Sequence, residues 1–213
     1  PIALIKNGDS RFLGKGNLGK RPLKTYYDIF RKQGIAYTYD EGILNTFVKG
    51  NLKADEFRVE GNISSQFISG LLFALPLLDG DSKIVITTNL ESRGYIDLTL
   101  FMLDKFGIKI ENLNYKEFRI KGNQSYKPFN YRVEGDYSQG AFFFAAGALG
   151  NNIVCYDLEE KSKQGDKEVL DILENMGNTL IKEFKEGKKI GLSILSKDLK
   201  ASVIDASQCP DII

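Results

Sequence analysis

The chain carries an internal repeat, and this repeat limits its fold more than any other feature of the sequence. Three segments have apolar residues at helical spacing and end in a glycine: 21–34, 93–107 and 164–177. The closing glycines are 73 and 70 positions apart (107 − 34 and 177 − 107). Such a pattern is typical of an amphipathic helix that ends in a left-handed residue. The sequence therefore predicts three equivalent amphipathic helices, one for each repeat unit.

A second set of segments alternates with the first. Val-Glu-Gly-Asn-Ile-Ser-Ser-Gln at 59–66, Val-Glu-Gly-Asp-Tyr-Ser-Gln at 133–139 and Val-Ile-Asp-Ala-Ser-Gln at 203–208 share a Ser-Gln pair. The first two lead into almost wholly apolar stretches at 67–78 and 141–149, which predict buried helices. Ser or Asp at the start of each stretch suits an N-cap.

Strand-like runs lie between the predicted helices, at 83–88, 108–111, 117–121, 152–156 and 189–195. Together with the helices they predict a unit of strand, buried helix, strand, amphipathic helix, strand and strand over about 70 residues. The fold class is therefore α/β, with repeated βαβαββ units. Because each unit has two helices, one of them wholly apolar, we expect the helices to be enclosed by sheets.

The phase of the repeat predicts that both ends of the chain lie within a unit. The chain opens with a predicted strand at 2–6 that has no buried helix before it. It ends at 211–213, where the third buried helix is expected to begin. We interpret both ends as truncated within a unit, and the alternative is a degenerate terminal unit.

Composition excludes several kinds of site and partner. The sequence has no histidine, which excludes a Ser-His-Asp triad and leaves Asp, Glu, Lys, Tyr or a low-pKa Cys as a general base. The net charge of +1 creates no overall electrostatic field that would attract the chain to nucleic acid or a membrane. No apolar run reaches the roughly 18 residues of a membrane span. With no signal peptide visible, we expect Cys155 and Cys209 to be reduced cytoplasmic thiols.

Five motifs together resemble the EPSP synthase (3-phosphoshikimate 1-carboxyvinyltransferase) family in order and spacing. They are Lys-Arg-Pro at 20–22, Ser-Ser-Gln-Phe-Ile-Ser-Gly-Leu-Leu at 64–72, Ser-Arg-Gly-Tyr-Ile-Asp at 92–97, Glu-Gly-Asp-Tyr-Ser at 134–138 and Asp-Ala-Ser-Gln-Cys-Pro-Asp at 205–211. The resemblance implies the enolpyruvyl transferase fold, in which βαβαββ units form two inside-out α/β barrel lobes. It assigns residues 1–134 to the N-terminal lobe and 135–213 to the start of the C-terminal lobe, with a hinge strand near 133–136.

The same resemblance implies a reaction in the shikimate pathway. The enolpyruvyl group of phosphoenolpyruvate passes to the 5-hydroxyl of shikimate 3-phosphate, and phosphate leaves. The resemblance implies these two small-molecule partners, no metal or organic cofactor, no nucleic acid, no membrane, a cytoplasmic location and a full-length monomer. The segment alone is expected to be inactive, since the family also uses residues that precede and follow it.

By resemblance, the shikimate 3-phosphate site comprises Ser64, Ser65, Gln66, Ser92, Tyr95 and Asp211. Phosphoenolpyruvate is assigned to Arg21 and Gln66, and the catalytic carboxylate to Asp211. The residues themselves support part of this assignment, because hydroxyls and free N–H groups at a helix start bind anions. The guanidinium of Arg21 suits a carboxylate or phosphate. The alternatives are a capping serine, a surface arginine and a helix-start carboxylate.

Some residues depart from the family pattern or favour other functions. Ser-Arg-Gly-Tyr at 92–95 replaces the commoner Ser-Lys-Pro-Tyr, so Gly94 frees a backbone that proline would restrict. We interpret Asp136 mainly as a cap. A catalytic thiol would indicate the sister family that acts on UDP-N-acetylglucosamine, but that family's cysteine lies in a different loop from Cys209. The other alternative is a non-catalytic repeat protein that binds an anionic ligand or a partner chain.

Overall fold

The described structure is a computed structural model that covers residues 1–6, 8–40 and 45–212. Ile213, at the predicted start of the third buried helix, lies outside this range. The chain divides into two modules. The first module comprises Pro1–Glu91 and Thr99–Phe129, and the second comprises Ser92–Leu98 and Asn130–Ile213. No helix in the described part of the chain is long and apolar enough to cross a membrane.

The first module holds seven strands and three helices among its described residues, with the first six residues of the third helix assigned to the second module. In chain order they are β1 (Gly8–Leu13), α1 (Lys24–Gln33), β2 (Ala36–Tyr39), β3 (Asn45–Gly50), β4 (Glu56–Val59), α2 (Ser65–Ala74), β5 (Ser82–Ile86), α3 (Arg93–Lys105), β6 (Ile110–Leu113) and β7 (Glu117–Ile120). The remaining elements, all in the second module, are α4 (Tyr137–Ala148), β8 (Val154–Tyr156), α5 (Glu168–Asn175), β9 (Thr179–Lys185) and β10 (Lys188–Leu195).

The predicted repeat appears in the order of the strands within each sheet. The three sheets run β1-β3-β2, β4-β5-β7-β6 and β8-β10-β9. In each, the strand before the amphipathic helix pairs with the second strand of the following hairpin, and every such pair is antiparallel. Strand β4 adds a parallel neighbour to β5, which completes one βαβαββ unit. The α/β class and the repeated unit are confirmed.

The three amphipathic helices end in the same way. Gly34, Gly107 and Gly177 have φ values of 67°, 82° and 102°, a region that a side chain rarely adopts. The N–H of the residue after each glycine donates to the carbonyl five positions earlier: Ile35 to Phe30, Ile108 to Leu103 and Asn178 to Leu173. This Schellman closure satisfies carbonyls at the helix end. It also explains why β6 begins at Ile110, two residues later than predicted.

The apolar helices have the predicted caps. Ser64 Oγ accepts from the Gln66 N–H at 3.3 Å, and Asp136 Oδ1 accepts from the Ser138 N–H at 2.8 Å. Ser65 is the first residue of α2 whereas Ser138 is the second of α4, so the Ser-Gln pairs differ by one position relative to the cap. Helix α4 is buried on one face only, as the 71% exposure of Phe142 shows.

Two predicted strands are wrong. Residues 2–6 contain a 3₁₀ turn at Ile2–Leu4, in which Leu4 is buried and accepts one backbone hydrogen bond, from Leu52. Burial of one side chain, rather than ladder pairing, sets this conformation. Residues 133–136, where the hinge strand is expected, form no strand, and the Gly135 N–H donates a single hydrogen bond to the Asp157 carbonyl at 2.8 Å. The predicted hinge strand is therefore absent.

Candidate functional site

Motifs from two repeat units line one cavity of the first module. Its volume is about 380 Å³, and its walls include Arg21, Tyr26, Ser64, Gln66 and Phe67. Arg21 follows a 3₁₀ turn at Gly16–Lys20, and Ser64 caps helix α2. The structure thus brings together three of the predicted site residues, since Arg21 lies more than 40 positions before Ser64 and Gln66 in the sequence.

Tyr26 fixes the wall between the two motifs. Its hydroxyl donates to the carbonyls of Gln66 at 3.3 Å and Phe67 at 3.2 Å, and its ring meets the Phe67 ring edge-on at 4.8 Å. Gly70, one turn further along α2, provides the space for this hydroxyl, since a Cβ there would overlap it. Burial raises the pKa of Tyr26, so the phenol stays neutral. Tyr26 is therefore a structural part of the cavity that sequence reasoning missed.

The N-terminus of α2 has the features of an anion site. The Ser64 hydroxyl is engaged as the cap, but Ser65 uses neither its hydroxyl nor its N–H in a hydrogen bond with the described residues. Ser65 is half-buried and is not among the cavity-lining residues, whereas Gln66 is exposed and is one of them. A free N–H and hydroxyl at the positive end of a helix favour an anionic ligand.

The charge of Arg21 is available for a ligand. Its side chain is exposed and forms no ion pair within residues 1–6, 8–40 and 45–212. The neighbouring Lys24, by contrast, pairs with Asp28 at 2.6 Å. A planar guanidinium without an acidic partner, beside a helix N-terminus, suits the carboxylate or phosphate of a small anion.

A second cluster, the Tyr95 cluster, forms in the second module from Ser92, Tyr95, Asp166 and Asp211. The Tyr95 hydroxyl lies 2.9 Å from Asp166 Oδ1, 3.0 Å from Asp166 Oδ2 and 3.0 Å from Asp211 Oδ2. Two of the predicted site residues, Tyr95 and Asp211, are therefore in direct contact although 116 positions separate them. Asp211 is exposed and can reach a ligand, and Asp166 is buried.

Hydrogen bonds and close packing hold the three segments of this cluster together. The Ser92 N–H donates to the Ser207 carbonyl at 3.1 Å, and the Arg93 N–H donates to Gln208 Oε1 at 3.0 Å. Ser92 has a φ of 55°, which is strained for a residue with a side chain. Gly165, beside Asp166, is also tightly packed, since a Cβ on it would lie 3.1 Å from the Gln208 carbonyl oxygen. The segment that carries Asp211 is thus tied to the start of α3.

The electrostatics of the cluster keep a proton on Tyr95. Burial is the largest cause that raises the pKa of Tyr95, and hydrogen bonds to Asp166 and Asp211 add to it. Burial also raises the pKa of Asp166; the hydrogen bond from Tyr95 opposes this rise and the charge of Asp211 reinforces it. Tyr95 therefore stays protonated and can donate to the two carboxylates, of which that of Asp211 is exposed.

Sequence reasoning missed Asp166. A signal was present, because Gln-Gly-Asp at 164–166 stands in the third repeat where Arg-Gly-Tyr at 93–95 stands in the second. An acidic residue at a helix start, however, is ordinary and does not by itself indicate a site. Only the packing of the two segments shows that Asp166 meets Tyr95.

The remaining polar groups of interest are the Cys209 thiol and the acidic side chains. Cys209 is buried, and this burial is the largest cause that raises the pKa of its thiol, which disfavours the nucleophilic thiolate. In the described part of the chain, no three Cys, Asp or Glu side chains are grouped so that they could hold a metal ion.

Comparisons with known proteins agree on one family. The family model described as EPSP synthase (3-phosphoshikimate 1-carboxyvinyltransferase) matches residues 2–212. A protein of Clostridium perfringens (strain SM101) named 3-phosphoshikimate 1-carboxyvinyltransferase is 64% identical over 213 residues, which are 100% of this chain and 49% of that protein. A protein of Clostridioides difficile (strain 630) with the same name is 58% identical over all 213 residues, 48% of its length.

Solved structures share the fold. A structure described as EPSP synthase from Acinetobacter baumannii matches with a TM-score of 0.71 and 21% identity, over 98% of this chain and 49% of that one. A second structure of EPSP synthase from the same organism has a TM-score of 0.69 and 22% identity, over 97% and 47% of the two chains. The chain spans about half the length of the curated relatives it matches.

Proposed function

The chain belongs to the EPSP synthase family, and on that premise we propose that it forms part of an enzyme that transfers the enolpyruvyl group of phosphoenolpyruvate to shikimate 3-phosphate. The observation that carries the proposal is the shared cavity of Arg21, Ser64 and Gln66. Both substrates are anionic, and this cavity combines an unpaired guanidinium with a helix N-terminus. Residues 1–134 then belong to the N-terminal lobe of the enzyme, and 135–213 open its C-terminal lobe.

Each site residue has a defined role in this proposal. Ser64, Ser65 and Ser92 bind the phosphate of shikimate 3-phosphate, Tyr95 lies against its ring, and Gln66 lies between the two substrates. Arg21 binds phosphoenolpyruvate. Asp211 accepts the proton of the attacking hydroxyl, and its hydrogen bond from Tyr95 orients it for this task. Fixed donors and charges that meet the developing negative charge are expected to supply most of the acceleration.

We also propose that the enzyme acts in the cytoplasm without a metal or organic cofactor. The proposed chemistry needs one group to take the hydroxyl proton, one to protonate the methylene carbon, and a cationic pocket. Asp211 and Arg21 are this segment's contributions to it.

Ligand titration tests the proposal. In a full-length enzyme that carries this segment, calorimetry should detect binding of shikimate 3-phosphate and no binding of UDP-N-acetylglucosamine, and phosphate should be released only when phosphoenolpyruvate is added. Arg21→Gln should weaken phosphoenolpyruvate binding by about 1.5–3 kcal/mol, the range for a hydrogen bond to a charged group. Arg58→Gln, an exposed arginine outside the cavity, is the matched control.

Three other outcomes would contradict parts of the proposal. Binding of UDP-N-acetylglucosamine would favour the sister transferase. Binding of an anion without phosphate release would favour a non-catalytic protein. Equal affinities of the Arg21 and Arg58 variants for phosphoenolpyruvate would remove Arg21 from the site. The 213-residue chain by itself is expected to release no phosphate above background.

A further inference from the structure

We propose that Asp166 is a positioning residue, which anchors the Tyr95 hydroxyl and thereby sets the place of Tyr95 beside Asp211. Asp166 does not belong to the site predicted from the sequence. Its role in the reaction rests on the proposed function, whereas the contact between Asp166 and Tyr95 does not. Three properties of the Tyr95 cluster lead to it.

The first property is the burial of Asp166. This side chain is 3% exposed, and it forms no ion pair within the described residues. The neighbouring Lys167 does not neutralise it, because its ammonium donates to the Glu160 carbonyl. A buried carboxylate is costly unless a donor satisfies it. The Tyr95 hydroxyl meets both of its oxygens and, together with the backbone N–H of Asp166 itself, makes its burial tolerable.

The second property is the difference in solvent exposure between the carboxylates of Asp166 and Asp211. A phenol has one proton to donate, yet the Tyr95 oxygen lies at hydrogen-bond distance from both Asp166 and Asp211. Asp211 is exposed and can exchange this contact for water or a ligand hydroxyl, whereas Asp166 cannot. When a ligand engages Asp211, Asp166 keeps Tyr95 in place. The buried carboxylate of Asp166 is therefore the anchor of Tyr95, and the exposed carboxylate of Asp211 is the one that meets the ligand.

The third property is the rigidity of the two backbones that carry the pair. A Cβ on Gly94 would lie 2.7 Å from the Gly165 Cα, so the residues just before Tyr95 and Asp166 are in close contact. Little displacement of either backbone is possible in such packing. The Tyr95–Asp166 contact is consequently built into the fold of the second module rather than formed by a mobile loop.

The contact itself can be tested in the 213-residue chain by NMR. A slowly exchanging phenolic proton should be seen and should disappear in Tyr95→Phe, which assigns it. Asp166→Asn should shift this proton upfield and accelerate its exchange, because a neutral amide is a weaker acceptor than a carboxylate. Asp211→Asn is the matched control and should leave the proton slowly exchanging.

Two results would overturn the anchor. One is the reverse pattern, in which Asp211→Asn releases the proton and Asp166→Asn does not; the other is the absence of any such proton in the unsubstituted chain. Should Asp166→Asn fail to fold, the carbon-13 chemical shift of the Asp166 carboxyl group reports the same Tyr95–Asp166 contact at the acceptor. It should change in Tyr95→Phe, while that of the exposed Asp205 should not.

The positioning role is tested by kinetics in a full-length enzyme that carries this segment. Asp166→Asn should lower kcat about tenfold or more with little change in KM, since small misplacement of a reacting group is costly. In a Tyr95→Phe background the same substitution should have no further effect, because Asp166 acts through that hydroxyl. Full additivity of the two substitutions would overturn the role. An enzyme without transferase activity would refute the proposed function and leave the NMR result intact.

Discussion

Gly94 and Gly165 approach so closely that a Cβ atom on Gly94 would stand 2.7 Å from the Cα and 2.9 Å from the nitrogen of Gly165. The sequence suggested that glycine at position 94 frees the backbone where the family more often has proline. The structure gives a different reason, because Gly94 is not among the residues with positive φ. Glycine is needed there since a second backbone occupies the space of a side chain.

Gly94→Ala is therefore expected to destabilise the second module by about 1–3 kcal/mol, the usual cost of overpacking. The variant should also loosen the Tyr95–Asp166 contact. Chemical denaturation followed by circular dichroism measures the free energy of unfolding. Gly8→Ala is the control, because nothing lies within 4 Å of a Cβ there. Equal stability of the two variants would contradict the packing argument.

Ser64→Ala should cost about 1 kcal/mol of stability, because it removes the hydroxyl that caps helix α2. Thermal or denaturant unfolding of the chain measures the loss. Ser125→Ala, an exposed serine far from α2 in the sequence, should be neutral. A neutral Ser64→Ala would show that the cap is dispensable.

Ser65→Ala, in contrast to Ser64→Ala, should lower ligand affinity without lowering stability. Its hydroxyl has no partner among the described residues, so the stability of the chain should be unchanged. In a full-length enzyme that binds shikimate 3-phosphate, the affinity should fall by roughly 1.5–3 kcal/mol, the range for a hydrogen bond to a charged group. Calorimetry compares the variant with Ser125→Ala. An unchanged affinity would remove Ser65 from the phosphate site.

Asp211→Asn in a full-length enzyme should lower kcat by about two orders of magnitude or more, as expected for loss of a general base. Substrate affinity should change less, because the amide keeps the shape and most hydrogen bonds. Steady-state kinetics on protein whose folding is verified by circular dichroism provides the measurement. A kcat within about threefold of the unsubstituted enzyme would exclude Asp211 as the base.

Asp166→Asn should alter how stability depends on pH. Burial raises the pKa of Asp166 in the folded protein, so the folded state binds its proton more tightly than the unfolded state does. The stability that this proton provides is complete below the unfolded pKa and is lost as pH rises through the folded pKa. The melting temperature of Asp166→Asn relative to the unsubstituted chain should therefore increase from about pH 4 upward. A difference that stays constant with pH, or falls, would contradict this sign.

Much of the local structure could be predicted from sequence, because its causes lie within a few residues. Glycines at 34, 107 and 177 close helices since no neighbour in space is needed for a left-handed cap. Ser64 and Asp136 cap helices through bonds to N–H groups two or three positions away. The unit of about 70 residues followed from the spacing of these signals.

Strand β1 could not be predicted from the pattern of its own residues. Its residues, Gly8–Leu13, are mostly exposed and carry no clear alternation, and they form a strand because β3 pairs with them from Gly8 opposite Gly50 to Leu13 opposite Asn45. The apolar start at 2–6, which resembles a strand in sequence, instead turns to bury Leu4. Contacts with residues distant in the chain decided both outcomes, through strand pairing for β1 and through burial of Leu4 for residues 2–6.

The candidate site divides in the same way. By itself, the sequence determined the repeat, the helix caps and the residue types that resemble the family's substrate-binding motifs. Tertiary structure alone decided that Arg21 shares a cavity with Ser64, and that the Tyr95 hydroxyl contacts both Asp211 and the buried Asp166. The physical reason is that hydrogen bonds and desolvation depend on which atoms meet in space, and these atoms come from segments 40 to more than 100 residues apart.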